Sequence, residues 1–104
     1  MTDKALSMIG LATKAGKIVS GEFAVTAAVR KHQAYLVVVA QDASDNTRKS
    51  YSDMCTYHHI PLRYYGTLED LGLYTGKGLR ASLAVMDEGF ANTIEKLIDQ
   101  RTQM

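Results

Sequence analysis

The chain has 104 residues and a mass of 11.4 kDa, enough for one domain and one core, with no room for a separate catalytic domain. Hydrophobic residues make up 46% and charged residues 22%, which excludes a disordered chain; 12 Lys and Arg against 11 Asp and Glu leave a charge of +1, which excludes a protein that coats nucleic acid by charge alone. The lone thiol, Cys55, excludes an internal disulfide and a Cys-only metal site, and fits a reducing compartment.

Met1 to Ala15 is mildly apolar, but Lys4 and Lys14 interrupt it and no signal-type cleavage pattern follows. The spacing predicts a first helix over about Asp3 to Ala15. Leu6, Ile9 and Thr13 share one face and Met8, Leu11 and Ala15 another, so this helix is expected to pack on two sides. Gly16 suits its C-terminal end, where a left-handed residue is needed. Lys17-Ile18-Val19 has room for a very short strand. Ser20 reads as the N-cap of a second helix, about Gly21 to His32, with a core stripe of Val25, Ala28 and Val29. Arg30, Lys31 and His32 complement the dipole at its end.

Ala34 to Ala40 reads as a central strand buried on both faces, stopping at Gln41-Asp42. This run is also the longest apolar one, far short of the ~20 residues that span a bilayer. A third helix is expected from about Ser44 to His58, closed by Pro61, with Thr47, Tyr51, Met54, Cys55 and His58 on one face. Leu62 to Tyr65 follows as a short strand. Thr67 and Asp70 make a capping-box-like pair for a helix over Leu68 to Tyr74. Gly76-Lys77-Gly78 is a turn. Ala81 to Met86 is another apolar strand, and Asp87 caps a last helix striped with Phe90, Ile94, Leu97 and Ile98. Strands alternating with helices predict an α/β domain over residues 1–104: a three-layer α-β-α sandwich with a mixed, roughly four-stranded sheet.

Several segments together resemble a known family. They are Gly10-Leu11-Ala12-Thr13-Lys14-Ala15-Gly16-Lys17, Val19-Ser20-Gly21-Glu22, and Leu36 to Ser44 with Asn46-Thr47. Leu71-Gly72 with Gly76-Lys77, and Asp87-Glu88-Gly89-Phe90-Ala91, complete the set. In order and spacing they resemble the kink-turn-binding ribosomal-protein superfamily, in particular its small bacterial YlxQ-like branch. The resemblance implies a non-enzymatic RNA-binding role, with RNA at one end of the sheet. Three pieces would line it: Ser20 to Ala27, Gln41-Asp42 and Lys77 to Ser82.

One departure stands out. Kink-turn binders open the second helix with Gly-x-Asn-Glu-x-x-Lys, whose polar side chains meet purine edges and phosphate. Here the glycine is Gly21, and the Asn, Glu and Lys positions hold Phe23, Ala24 and Ala27. None of these three makes those contacts, and each unpartnered group costs roughly 1–3 kcal/mol.

The candidate RNA-binding residues are therefore Lys14, Lys17, Ser20, Gly21, Phe23, Gln41, Asp42, Lys77 and Arg80. Backbone N–H groups at Gly21 would hold phosphate. Lys14, Lys17, Lys77 and Arg80 would converge on the same end and add a salt-dependent contribution. Gln41 would offer the one clear polar base reader. Phe23 is expected to pack inward against the first helix, with stacking on an unpaired base as the alternative. Arg48 and Lys49 are expected to be solvent-exposed only.

Other chemistries find little support. Cys55, His58 and His59 have helical spacing, but a structural zinc needs four ligands, so Cys55 reads as a small buried hydrophobe and the histidines as a helix end. Cys55 and His58 gain no third orienting group for nucleophilic catalysis, and Gly72 to Gly78 lacks the setting of a phosphate loop. No cofactor, metal or enzymatic activity is expected. The expected partner is structured RNA, of ribosomal kind, bound by a cytoplasmic monomer with no membrane association. The alternative is a protein–protein interaction module of the same fold that has lost kink-turn recognition.

Overall fold

The computed structural model describes residues 3–102; Met1, Thr2, Gln103 and Met104, included in the expected domain, lie outside the described residues. Nine elements follow in chain order: α1 (Lys4–Lys14), β1 (Ile18–Ser20), α2 (Glu22–Arg30), β2 (Leu36–Val39), α3 (Asp45–His58), β3 (Leu62–Tyr64), α4 (Leu68–Tyr74), β4 (Ser82–Val85) and α5 (Glu88–Thr102). The strands form one mixed sheet in the order β1-β4-β2-β3. β4 is antiparallel to both neighbours, and β2 and β3 are parallel. Helices α1, α4 and α5 pack together on one side, and α2 and α3 on the other, which makes the expected three-layer α-β-α sandwich.

The two central strands are the most apolar, and every residue of β2 and β4 is buried. Ile9, Leu71, Ile94 and Ile98 close the core from one helical layer, and Val25, Val29, Tyr51 and Cys55 from the other. Helix starts follow their local chemistry. Asp3 accepts from the Leu6 N–H, Ser44 from the Thr47 N–H and Asp87 from the Phe90 N–H. Thr67 and Asp70 form a reciprocal capping box. Among the described residues no helix is long and apolar enough to cross a membrane.

Several expectations are corrected. The central strand covers four residues, not seven, because its partner β4 ends at Val85; Tyr35 donates one last bond to the Val85 carbonyl and is otherwise half in solvent. α1 packs against both α4 and α5, and Met8 is partly buried on the core, but the rest of its expected second face lies in solvent. Ala5, Leu6, Ile9 and Ala12 are buried, whereas Leu11 is 53% exposed and Ala15 exposed, since no further layer covers that face. α3 runs to His58 as expected, but what stops it is His59, in the left-handed conformation at φ 59°, and not Pro61. Ser20 is not a cap. It belongs to β1, paired opposite Leu83, and Gly21 takes the N-cap position.

Candidate nucleic-acid interface

The sheet register brings distant segments to one end. Gly21 N donates to Ser82 O at 3.0 Å, tying the start of α2 to the start of β4. Ala40 N donates to Ala81 O at 2.8 Å and Gln41 N to Gly66 O at 2.8 Å, which adds the end of β2. The Asp42 carboxylate accepts from Leu68 N at 2.8 Å and so holds the first turn of α4 against the same end. Gly21 has φ 92° and ψ 157°, a conformation for which only glycine is suited. With no side chain there, no cap occupies the first-turn amides of α2.

Arg80 lies across this turn. Its Nε donates to Ser20 Oγ at 3.3 Å, and it runs 3.8 Å from where a Cβ on Gly21 would stand. Its Nη1 also donates to Leu79 O at 3.0 Å, which fixes the guanidinium's orientation. Beneath it, the buried Ser82 Oγ donates to Tyr51 Oη at 2.7 Å, clamping β4 to α3. Burial raises the Tyr51 phenol above its ordinary range, and nearby Glu22 adds to that, so the bridge stays neutral at physiological pH.

Ser20, Gly21, Gln41, Asp42 and Arg80 are thus brought together. Gln41 is exposed beside the turn, and the bond from Leu68 gives Asp42 a structural use there. Lys77 is exposed on the loop that folds back along α4. Its N–H meets Gly72 O, whereas that of Arg80 meets Leu68 O, four residues earlier on α4 or about 6 Å along its axis. Lys14 and Lys17 do not converge on this end. The carbonyl of Lys17 accepts from Met86 N, at the opposite end of β1, about 10 Å of strand from Ser20. Lys14 borders a shallow hollow with Leu11, Leu73 and Gly76, between the C-terminal ends of α1 and α4.

Phe23 is not packed inward: it is 90% exposed. The core stripe explains why. Val25, Ala28 and Val29 face the sheet, and a residue two positions before Val25 points about 200° away. Arg30 and Lys31, legible in the sequence only as a basic helix end, share this outer face with Phe23. Their spacing from Phe23 is the available signal. Lys49 is exposed as expected and Arg48 partly so, and each makes a surface ion pair within α3, Arg48 with Asp45 and Lys49 with Asp53 at 3.1 Å.

Cys55 is buried and its thiol is pushed up to about 11 by that burial, far from a reactive thiolate. The His32 and His58 rings meet edge-on, with centroids 5.9 Å apart. Among the described residues no group of three or more His, Cys, Asp and Glu is placed to hold a metal.

The chain is similar to known proteins in sequence and in fold. A family described as "Ribosomal protein L7Ae/L30e/S12e/Gadd45 family" matches residues 3–95. The chain is 41% identical to the RNA-binding protein YlxQ of Bacillus subtilis (strain 168) over 92 residues, covering 88% of this chain and 92% of that one. It is similar to the structure of a protein of unknown function from Bacillus halodurans C, with a TM-score of 0.90 and 37% identity, over 94% of this chain and 99% of that one. The Giardia lamblia 15.5kD RNA binding protein shares the fold, at a TM-score of 0.76 and 17% identity, over 91% of this chain and 82% of that one. With both the fold and the ordered segments accounted for, the chain belongs to the ribosomal protein L7Ae/L30e/S12e/Gadd45 family, on its bacterial YlxQ-like side.

Proposed function

We propose that this protein binds structured, kink-turn-like RNA by docking the Gly21 end of the sandwich against it, as a ribosome-associated factor. The observation that carries the reading is Arg80 laid across the uncapped start of α2, within 3.3 Å of Ser20 Oγ. Open amides beside a fixed guanidinium are groups suited to holding a phosphate. Exposed Gln41 beside it offers a donor and an acceptor to a base edge. Lys77, stepped back along α4, extends the basic surface. The B. subtilis relative carries the name RNA-binding protein, which supports the same reading.

Phe23, Ala24 and Ala27 stand where the motif has Asn, Glu and Lys, so recognition rests on backbone shape and phosphate more than on purine edges. The test is binding to a standard kink-turn, a plain duplex and a simple hairpin, each at two salt concentrations. Replacing Lys77 and Arg80 by Ala is expected to weaken binding and to flatten the salt dependence, by about one unit of slope for each phosphate no longer neutralised. Unchanged affinity in that double variant removes the assignment.

A protein-interaction role is the second reading. It draws on Leu11 and Leu73, 53% and 70% exposed around one hollow on the α1 and α4 side. A dimer that survives dilution to nanomolar concentration, with no RNA affinity, would favour it over the first.

A further inference from the structure

We propose that the outer surface of the α1, α4 and α5 layer docks an acidic amphipathic helix of another protein, whose apolar stripe meets Leu11 and Leu73 and whose carboxylates meet Lys4 and Lys14. This inference rests on the protein-interaction reading above and deepens it by naming the partner's chemistry. It does not require the RNA-binding end to be idle, because none of Ser20, Gly21, Gln41, Asp42 and Arg80 lines this surface.

The surface is built along one stripe of α1. Lys4, Ser7, Leu11 and Lys14 stand at i, i+3, i+7 and i+10, opposite the buried Ala5, Ile9 and Ala12. Ser7 and Leu11 belong to two shallow hollows at once. One lies against α4, with Leu73, Tyr74 and Lys14; the other lies against α5, with Met8, Leu97 and Lys4. Gly10 floors the first hollow. The Tyr74 ring passes 3.5 Å from where a Cβ on Gly10 would stand, so the space above is left by a residue with no side chain of its own.

Charge names the occupant. Among the described residues that line the two hollows, Lys4 and Lys14 carry the only charges. Asp3, just before α1, is engaged by Leu6, Tyr65 and Arg101, and Glu69, one turn before Leu73 on α4, lies outside the lining. The two lysines are ten residues apart, about 15 Å of helix rise, and they bracket Leu11. A partner helix lying along α1 matches them with two carboxylates about three turns apart, on either side of an apolar i, i+3, i+7 stripe. A second copy does not match. An antiparallel pair sets the Lys4 of one copy against the Lys14 of the other, with no lining acid to answer either. RNA fits no better, because exposed leucines offer it neither a hydrogen-bond donor nor a ring to stack on.

The test uses two synthetic helical peptides of about 14 residues. Both carry leucine at i, i+3 and i+7; one has glutamate and the other lysine at two flanking positions ten residues apart. Binding to the full chain is followed by NMR of the backbone amides. The glutamate peptide is expected to shift the Ser7, Leu11 and Leu73 signals and to bind roughly 10-fold tighter than the lysine peptide. Lys4→Glu with Lys14→Glu is expected to reverse that preference. Leu11→Gln with Leu73→Gln, which keeps good helix formers at exposed positions, is expected to lose both peptides while folding and binding RNA as the native protein does. Equal binding of the two peptides overturns the acidic partner and leaves the protein-interaction reading in place. If the native protein binds RNA and neither peptide, this inference falls and the RNA-binding reading stands. If it binds the glutamate peptide and no RNA, the reverse holds. If the leucine variant weakens RNA binding, or only undoes self-association, the face belongs to RNA or to a second copy and the inference is overturned.

Discussion

Gly72 lies directly under the carbonyl oxygen of Gly78, so close that a Cβ on Gly72 would stand 1.9 Å from it. Both groups are backbone, so neither yields by a rotamer change. The loop between α4 and β4 is therefore pressed onto α4 through the one residue without a side chain, and Arg80 leaves that loop two residues later.

Gly72→Ala is expected to push this loop away from α4 and cost about 1–3 kcal/mol, as overpacking does. At roughly 4–8 °C per kcal/mol for a domain of this size, a thermal melt would show the loss clearly. Gly78→Ala serves as the control. Nothing lies within 4 Å of its added methyl, so its melting temperature is expected to stay close to that of the native protein.

The Ser82–Tyr51 bond gives a second expectation. Both residues are buried, and each is the other's side-chain partner. Tyr51→Phe is expected to strand Ser82 Oγ and cost about 1–3 kcal/mol, and Ser82→Ala to strand the phenol at similar cost. The double variant, with neither group left over, is expected to cost less than the sum of the two. Chemical denaturation of the four proteins measures that coupling; strict additivity would refute it.

Stability is expected to fall at both ends of the pH scale, for related reasons. Burial by itself raises the Asp3 carboxyl, but the hydrogen bonds from Tyr65 Oη and Leu6 N and the nearby Arg101 outweigh it and hold the group below its usual value. The hydrogen bond from Arg63 holds Asp99 low as well. For both, the folded pKa is depressed, so their contribution is complete above about pH 4 and is lost as the pH falls through the lower folded values. Tyr65 is the opposite case. Burial first, then the bond it donates to Asp3, pushes it up to about 12, so its contribution holds below about pH 10 and is lost as the pH rises towards 12. Melting curves across pH would show both limbs. Asp3→Asn should shallow both of them, and Tyr65→Phe the alkaline limb in particular.

Cys55 is expected to behave as an inert core residue. With a thiol pushed up to about 11 and 2% exposure, it should resist a disulfide reagent at pH 8 in the native protein and react at once in denaturant. Fast labelling of the folded protein would contradict this placement.

What is legible in the sequence is local. Thr67 and Asp70 are three residues apart and cap each other, and Asp87 caps the turn that follows it; no distant segment enters either decision. Ser20 obeys the same local rule and is misplaced by it, because its pairing with Leu83 claims it for the sheet and its side chain turns to Arg80. Residue type alone misjudges Phe23, although the period of Val25, Ala28 and Val29 already turns it outward. Lys14 and Lys17 are drawn to the wrong end because chain order does not reveal how far a three-residue strand carries the backbone. The ion pairs that hold β3 to α5, Arg63 with Glu95 and Asp99, span more than thirty residues and leave no mark in the spacing.

The sheet order places β4 between β1 and β2, although it is the last strand in the chain. A ribosome releasing this protein would expose both flanking strands, each with an open edge, until the segment around Ser82 to Val85 emerged to join them. β1 has no other neighbour in the sheet, so it has nothing to pair with before that moment. Folding should therefore come late and as a single event, with few stable partial forms on the way. The same order means that no cut before β4 leaves a working half. The floor under Gly21 and Arg80 is completed only by the strand that arrives last.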